Sequence, residues 1–187
     1  MTDLSGPDRE YVVDQHLRIT VLTRGVETDG RHDLVRAVAG PGMATALHKH
    51  SRYEERLFVL EGELIIWAGA EKVTVGAGGF YVIRMNVPHM IQTGPAGAST
   101  LNISSPAAFA ELIERTATPA HLAKPDVELD LELFMKVTTE LGDVVLGPPG
   151  TTPAELDKSG SSGSERRGAM SGIHAVSQAS GDRPARG

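Results

Sequence analysis

Between residues 17 and 106 the chain never runs far without a turn signal, and its apolar stretches are too short for anything but strands. RLFVL, ELIIW, KVTV, FYVIRM, MIQT and TLNIS follow one another, separated by EG, GAE, GAGG, NVPH and GPAG. Upstream, Leu17, Ile19 and Val21 alternate with Arg18, Thr20 and Leu22 at the two-residue period of a half-buried strand. The turn TDGR at residues 28–31 suits a hairpin into Leu34, Arg36 and Val38. Many short strands with Gly and Pro turns make a sandwich or a barrel. The fold class is therefore all-β over residues 11–106.

Beyond residue 106 the period changes. AFAELIERT and LDLELFMKVTTEL space their apolar residues by three and four, with Gly142 placed to stop the second, which predicts two helices in a C-terminal extension, residues 107–150, packed on the barrel. Residues 1–10 are polar and read as a flexible N-terminus. Residues 151–187 are rich in Ser, Gly and Pro, include SGSSGSERRG, and have no apolar period to repay the entropy of ordering, so they read as a disordered tail. SGSSG also has the composition of an artificial linker.

At 187 residues the chain is one domain by the usual prior of about 100 to 200 residues. A formal charge of -6 argues against nucleic acid and anionic membrane as partners, since both select a basic face. With no cysteine there is no disulfide, no thiolate nucleophile and no sulfur-based metal site. The opening MTDLSGPDRE lacks a basic segment followed by an apolar one, and a cytoplasmic location is expected.

Ionisable chemistry concentrates in residues 47–62, LHKHSRYEERLFVLEG. On a strand His48 and His50 project to one face while Lys49 points away. If Leu57 and Val59 face inward, so does Glu55, whereas Glu54 shares the opposite face with Arg56. Two imidazoles and a carboxylate buried without partners would cost about 1 to 3 kcal/mol per unsatisfied group, and a divalent cation satisfies them in one step. His89, at the start of MIQT, is the natural further ligand from a neighbouring strand.

This arrangement resembles the cupins, whose first motif is a Gly, five residues, HxH, three or four residues, Glu, six residues and Gly. Here it reads Gly42, MATAL, His48-Lys49-His50, SRYE, Glu55, RLFVLE, Gly62. The second motif is kept in part: Gly78, GFYVI, Arg84-Met85-Asn86, Val87-Pro88, His89, MIQ, Thr93, with Pro-x-Gly replaced by Arg-Met-Asn and a final Asn replaced by Thr. Asn tolerates the left-handed conformation that Gly would supply, so Asn86 is a plausible substitute. Over residues 11–150 the chain is similar to small single-domain cupins of the quercetin 2,3-dioxygenase-like group. The resemblance implies a double-stranded β-helix, or jelly-roll barrel, with C-terminal helices, and commonly a homodimer. It also implies a second role for Glu55, as catalytic base toward the substrate.

His48, His50, Glu55 and His89 suit one divalent transition metal, Fe(II) or Ni(II) foremost and Mn, Cu or Zn as alternatives, with up to two positions left open on a six-coordinate ion. Three readings follow: a dioxygenase-type oxidoreductase acting with O2 on an enolic or aromatic, flavonol-like small molecule; a non-redox metal cupin such as an isomerase, cyclase or lyase; or a binding cupin without catalysis. The substrate-binding residues are not readable. HExxH, P-loop and GxSxG are missing, and GAGG reads as a turn. His16, His32, His121 and His174 read as surface histidines, Arg84 as solvated and Trp67 as barrel packing. Phe80 and Tyr81 cannot both face inward, and the sequence leaves open which does.

Overall fold

The computed structural model describes residues 7–159. Ten strands make up one wrapped sheet: β1 (Glu10–Asp14), β2 (Leu17–Thr23), β3 (Asp33–Ala39), β4 (Ala46–His50), β5 (Glu54–Ala68), β6 (Glu71–Gly76), β7 (Phe80–Ile83), β8 (His89–Ser105), β9 (Thr118–Pro119) and β10 (Asp143–Pro149). Along its main path the order is β10-β4-β8-β3-β2-β1-β9, and β5 pairs with β6, β7 and β8. Every pairing is antiparallel. Helices α1 (Phe109–Thr116), α2 (Leu131–Leu141) and α3 (Pro153–Ser159) all follow β8. No helix among the described residues is long and apolar enough to cross a membrane.

Two long strands organise the barrel. RLFVL and ELIIW, read as separate strands in the sequence, are one strand, β5, because EG is a bend and not a turn. The same holds for MIQT and TLNIS, which β8 joins through GPAG. The bends lie against each other: Gly62 pairs with Ala98, and Gly62 and Gly97 both have positive φ. A Cβ on Gly62 would stand 2.1 Å from the Gly97 carbonyl oxygen, so the approach admits only glycine.

The two-residue period sets the faces. Leu57, Val59, Leu64 and Ile66 on β5 are buried together with Val75, Ile83 and Ala98, and Glu55 shares their inward face. Each fully buried Leu or Val contributes about 1.5 to 3 kcal/mol. A second cluster, Tyr11, Val13, Ile19, Val21, Val35 and Ala37, is closed by Ala110 and Ile113 of α1. Helix α1 has no side-chain cap of its own. Asp33 of β3 serves instead, its Oδ2 accepting from the backbone N–H groups of Ala108 (2.7 Å) and Ala110 (3.1 Å). Helix α2 starts at Asp130, which accepts from Leu133 N–H, and stops at Gly142 with φ 90°, where the sequence places its end.

Several boundaries move. Pro7–Arg9 is a 3-10 turn and Glu10 already belongs to β1, so the N-terminus is ordered well before residue 11; residues 1–6 lie outside the described part. The extension at 107–150 is not purely helical, since β10 pairs with β4 and completes the sheet. Within 151–187, Pro153–Ser159 is helical, which corrects the disordered reading there. Thr152 and Glu155 explain it: Glu155 Oε2 accepts from the Thr152 N–H (2.6 Å) and hydroxyl (2.8 Å), with Pro153 at the first helical position. Residues 160–187, with His174, lie outside the described residues. The TDGR hairpin exists, with Asp29 and Gly30 both left-handed, but a 3-10 turn at Gly25–Thr28 lengthens the loop.

Trp67 is not interior packing. It alternates with the buried Ile66 and Ala68, so it lies half-buried on the outer face, with Lys72 Nζ 4.8 Å from its ring centroid. Tyr81 packs against the inner cluster while Phe80 is exposed, which resolves the choice between them. Arg84 is solvated as expected and pairs with Glu54 at 2.9 Å.

Candidate metal centre

His48 and His50 come from β4, Glu55 from the start of β5 and His89 from the first position of β8. Register brings them together. His48 is the cross-strand partner of His89, and His50 lies two residues along on the same face. The ring centroids are 4.8 Å (His48 to His50), 4.2 Å (His48 to His89) and 4.9 Å (His50 to His89) apart. One ligand nitrogen from each lies within 4.8 Å of the others. Glu55 Oε2 stands 3.5 Å from His50 Nε2 and 3.7 Å from His89 Nε2. All four residues predicted from the sequence therefore meet at one place.

Each imidazole is oriented from behind. His48 Nδ1 contacts the Ala46 carbonyl (2.8 Å), His89 Nδ1 the Val87 carbonyl (2.9 Å) and His50 Nδ1 the Asp143 Oδ1 (2.7 Å). An acceptor at Nδ1 holds a proton there and leaves Nε2 as the nitrogen that faces the cluster. The Nε2 atoms of His50 and His89 are buried without a hydrogen-bond partner, the Glu55 contacts being too long to serve. Such orphaned nitrogens beside a carboxylate fit a divalent cation, which takes neutral imidazole nitrogen and carboxylate oxygen together.

The metal-free electrostatics are consistent with that fit. Burial drives His89 down to about 3 and lowers His48, so both imidazoles are neutral and ready to ligate. Burial also acts to lower His50, but the hydrogen bond to Asp143 and the nearby Glu55 charge overcome it and raise the ring to about 9. Burial would raise Glu55, yet the neighbouring imidazoles, His50 first, hold it down at about 2.

Asp143, Tyr53, Asn102 and Thr100, all around the cluster, escaped the sequence reading. Asp143, at the first position of β10, is the cross-strand partner of His50 and also accepts from Tyr53 OH (3.0 Å). Tyr53 is fully buried and stacks on His50 with centroids 4.1 Å apart. Asn102 Nδ2 donates to Glu55 Oε1 (3.3 Å), while Thr100 Oγ1 donates to Asn102 Oδ1 (2.7 Å). Glu54 does the opposite of Glu55: it pairs with Arg56 (2.7 Å) and Arg84 (2.9 Å), away from the cluster.

The cluster opens into a cavity of about 110 Å³ between the two apolar clusters. His48, His50 and Glu55 line it together with residues from both, among them Leu17, Ile19, Ala37, Leu57 and Leu64. Phe109 of α1 contributes a further wall.

The profile of the Cupin domain family matches residues 35–103, the span that runs from β3 to near the end of β8 and holds all four clustered residues. The chain carries a cupin domain. Asn86 of its second motif has φ 63°, the left-handed turn for which Asn substitutes for Gly. Asp143 lies outside the matched span of the cupin domain. No curated protein matches the chain in sequence.

Among solved structures, the chain is similar to KdgF from Halomonas sp. (15% identity, 52% of this chain and 86% of that one, TM-score 0.47). It is also similar to oxalate decarboxylase from Bacillus subtilis (19% identity, 52% of this chain and 26% of that one, TM-score 0.46). An RmlC-like cupin from Shewanella frigidimarina NCIMB 400 is alike to a similar degree (19% identity, 57% of this chain and 93% of that one, TM-score 0.48).

Proposed function

We propose that the cupin domain holds one divalent transition metal through His48, His50, Glu55 and His89, and that the protein is a dioxygenase-type oxidoreductase acting on an enolic or aromatic small molecule. The observation that carries this reading is the pair of buried, partnerless Nε2 atoms on His50 and His89, facing Glu55, which with His48 and His50 lines a largely apolar cavity. A divalent ion there lowers the pKa of a coordinated hydroxyl, polarises a carbonyl and, if redox-capable, gives O2 a place in the reaction.

The chain's own residues supply orientation and exclusion of water. Asp143 and the Ala46 and Val87 carbonyls fix three rings, and Asn102 fixes one oxygen of Glu55. The other oxygen, Oε2, faces the imidazoles and the cavity, where it is the nearest carboxylate to take a proton from a bound enol or phenol. The apolar walls keep the anion so formed from being drawn off into solvent.

The test is metal content of the purified protein, paired with a screen of catechols, flavonols and enols under air and under nitrogen. The expected result is about one metal per chain and O2 uptake that requires both metal and substrate. Turnover that continues under nitrogen, unchanged when zinc replaces the native ion, would replace this reading with the non-redox one. Absence of bound metal would remove both.

A further inference from the structure

The walls of the cavity carry information about charge that the metal cluster does not. Strand parity sends the arginines of the lining strands outward. Arg18 lies between the lining residues Leu17 and Ile19, Arg36 precedes Ala37, and Arg56 lies between Glu55 and Leu57. Arg36 bonds Ser99, and Arg56 pairs with Glu54, which also takes Arg84. Among the described residues, no Lys or Arg lines the cavity.

The polar side chains on the walls are engaged within the protein. Thr45 Oγ1 accepts from Ile91 N–H (3.0 Å), and Thr93 Oγ1 donates to the Gly40 carbonyl (2.6 Å). Thr100 and Asn102 form the relay that ends on Glu55. The remaining surface is aliphatic or aromatic. Moreover, Glu55 and the Asp143 carboxylate behind His50 already balance a divalent ion, so the cluster has no positive charge to spare for a second anionic group.

We propose that the cavity selects an uncharged, largely apolar small molecule whose one enol or phenol unit meets the cluster, and that it rejects carboxylate-bearing molecules of the same shape. The inference rests on the metal-enzyme reading above and narrows its substrate class. Its cause is desolvation: a carboxylate on these walls loses water and gains no donor.

The probes are isopropylcatechol and protocatechuate, which share a ring and a substituent shape and differ by one charge. Calorimetric titration of the full-length protein, loaded with zinc so that no oxidation intervenes, should show isopropylcatechol binding at least about tenfold more tightly. Equal affinity, a preference for protocatechuate, or binding of neither probe overturns the proposal. Replacing Ala37→Lys places a cation on the β3 wall and should narrow or reverse the preference. If that variant does not fold, the wild-type comparison decides alone. Zinc content is measured on the same samples: failure to retain zinc overturns the metal reading and this inference with it, whereas retained zinc without discrimination overturns this inference only.

Discussion

Asp143 is the residue whose loss should separate support of the metal site from ligation. Its two carboxylate oxygens serve two buried groups, His50 Nδ1–H at 2.7 Å and Tyr53 OH at 3.0 Å. Asp143→Ala leaves both without an acceptor, at about 1 to 3 kcal/mol each, so the variant should lose about 2 to 6 kcal/mol of stability. Against a total of about 5 to 15 kcal/mol that is a large share. Asp143→Asn is milder in shape and sharper in meaning. Its carbonyl oxygen still accepts from His50 and its amide can donate to the Tyr53 oxygen, so the fold should stand, but the charge that stiffens and polarises the ring is gone. Loss of an outer partner of this kind weakens metal binding about 10- to 100-fold, or about 1.4 to 2.8 kcal/mol. Urea unfolding of both variants and calorimetric zinc titration of Asp143→Asn measure the two effects. If Asp143→Asn binds zinc as tightly as the wild type, or if Asp143→Ala unfolds at the wild-type midpoint, Asp143 does not hold His50 in the manner described.

The adjacent glutamates give a second contrast. Glu55→Gln should lower metal occupancy after dialysis and lower any proton-abstracting activity further, while Glu54→Gln, changed only where Arg56 and Arg84 meet it, should keep its metal; elemental analysis showing the reverse would refute the inward face assigned to Glu55. A third expectation concerns pH. His50 is raised in the metal-free fold from 6.5 to about 9, so it binds a proton that metal must displace, and affinity should rise with pH across that window, with close to one proton released per ion by calorimetry in buffers of different ionisation enthalpy. The same shift favours the metal-free fold fully below 6.5 and is lost as pH rises through about 9, so metal-free protein should melt lower at the alkaline end; a flat profile in both measurements would refute the His50 assignment.

What was legible in the sequence is what a strand's period encodes locally. His48 and His50 share a face because they are two apart, and Glu55 falls inward because Leu57 and Val59 do. Neither inference needs the rest of the molecule. Asn86 was readable for a similar reason, since the left-handed turn constrains one residue at a time. By contrast, β5 and β8 were each read as two strands. A glycine at a bend and a glycine at a turn carry the same local signal, and only the facing pair at Gly62 and Gly97 shows that both chains continue. Helix α3 was hidden for the opposite reason: a capping pair, Thr152 and Glu155, lies inside a segment whose average composition argues against order.

Asp143 and Phe109 were not legible at all, and they show how the site is divided along the chain. The donors lie on β4, β5 and β8, within the span that matches the cupin family. What orients His50 arrives from β10, through a register that no short window of sequence contains. What closes the cavity arrives with α1, whose start is capped by Asp33 of β3 and whose first residue, Phe109, faces the space above the cluster. A boundary at residue 106, natural from the change of hydrophobic period, therefore cuts through the site. The segment after it is no accessory layer on a finished barrel, since it supplies the last two strands, one wall of the cavity and the carboxylate behind a metal-facing histidine.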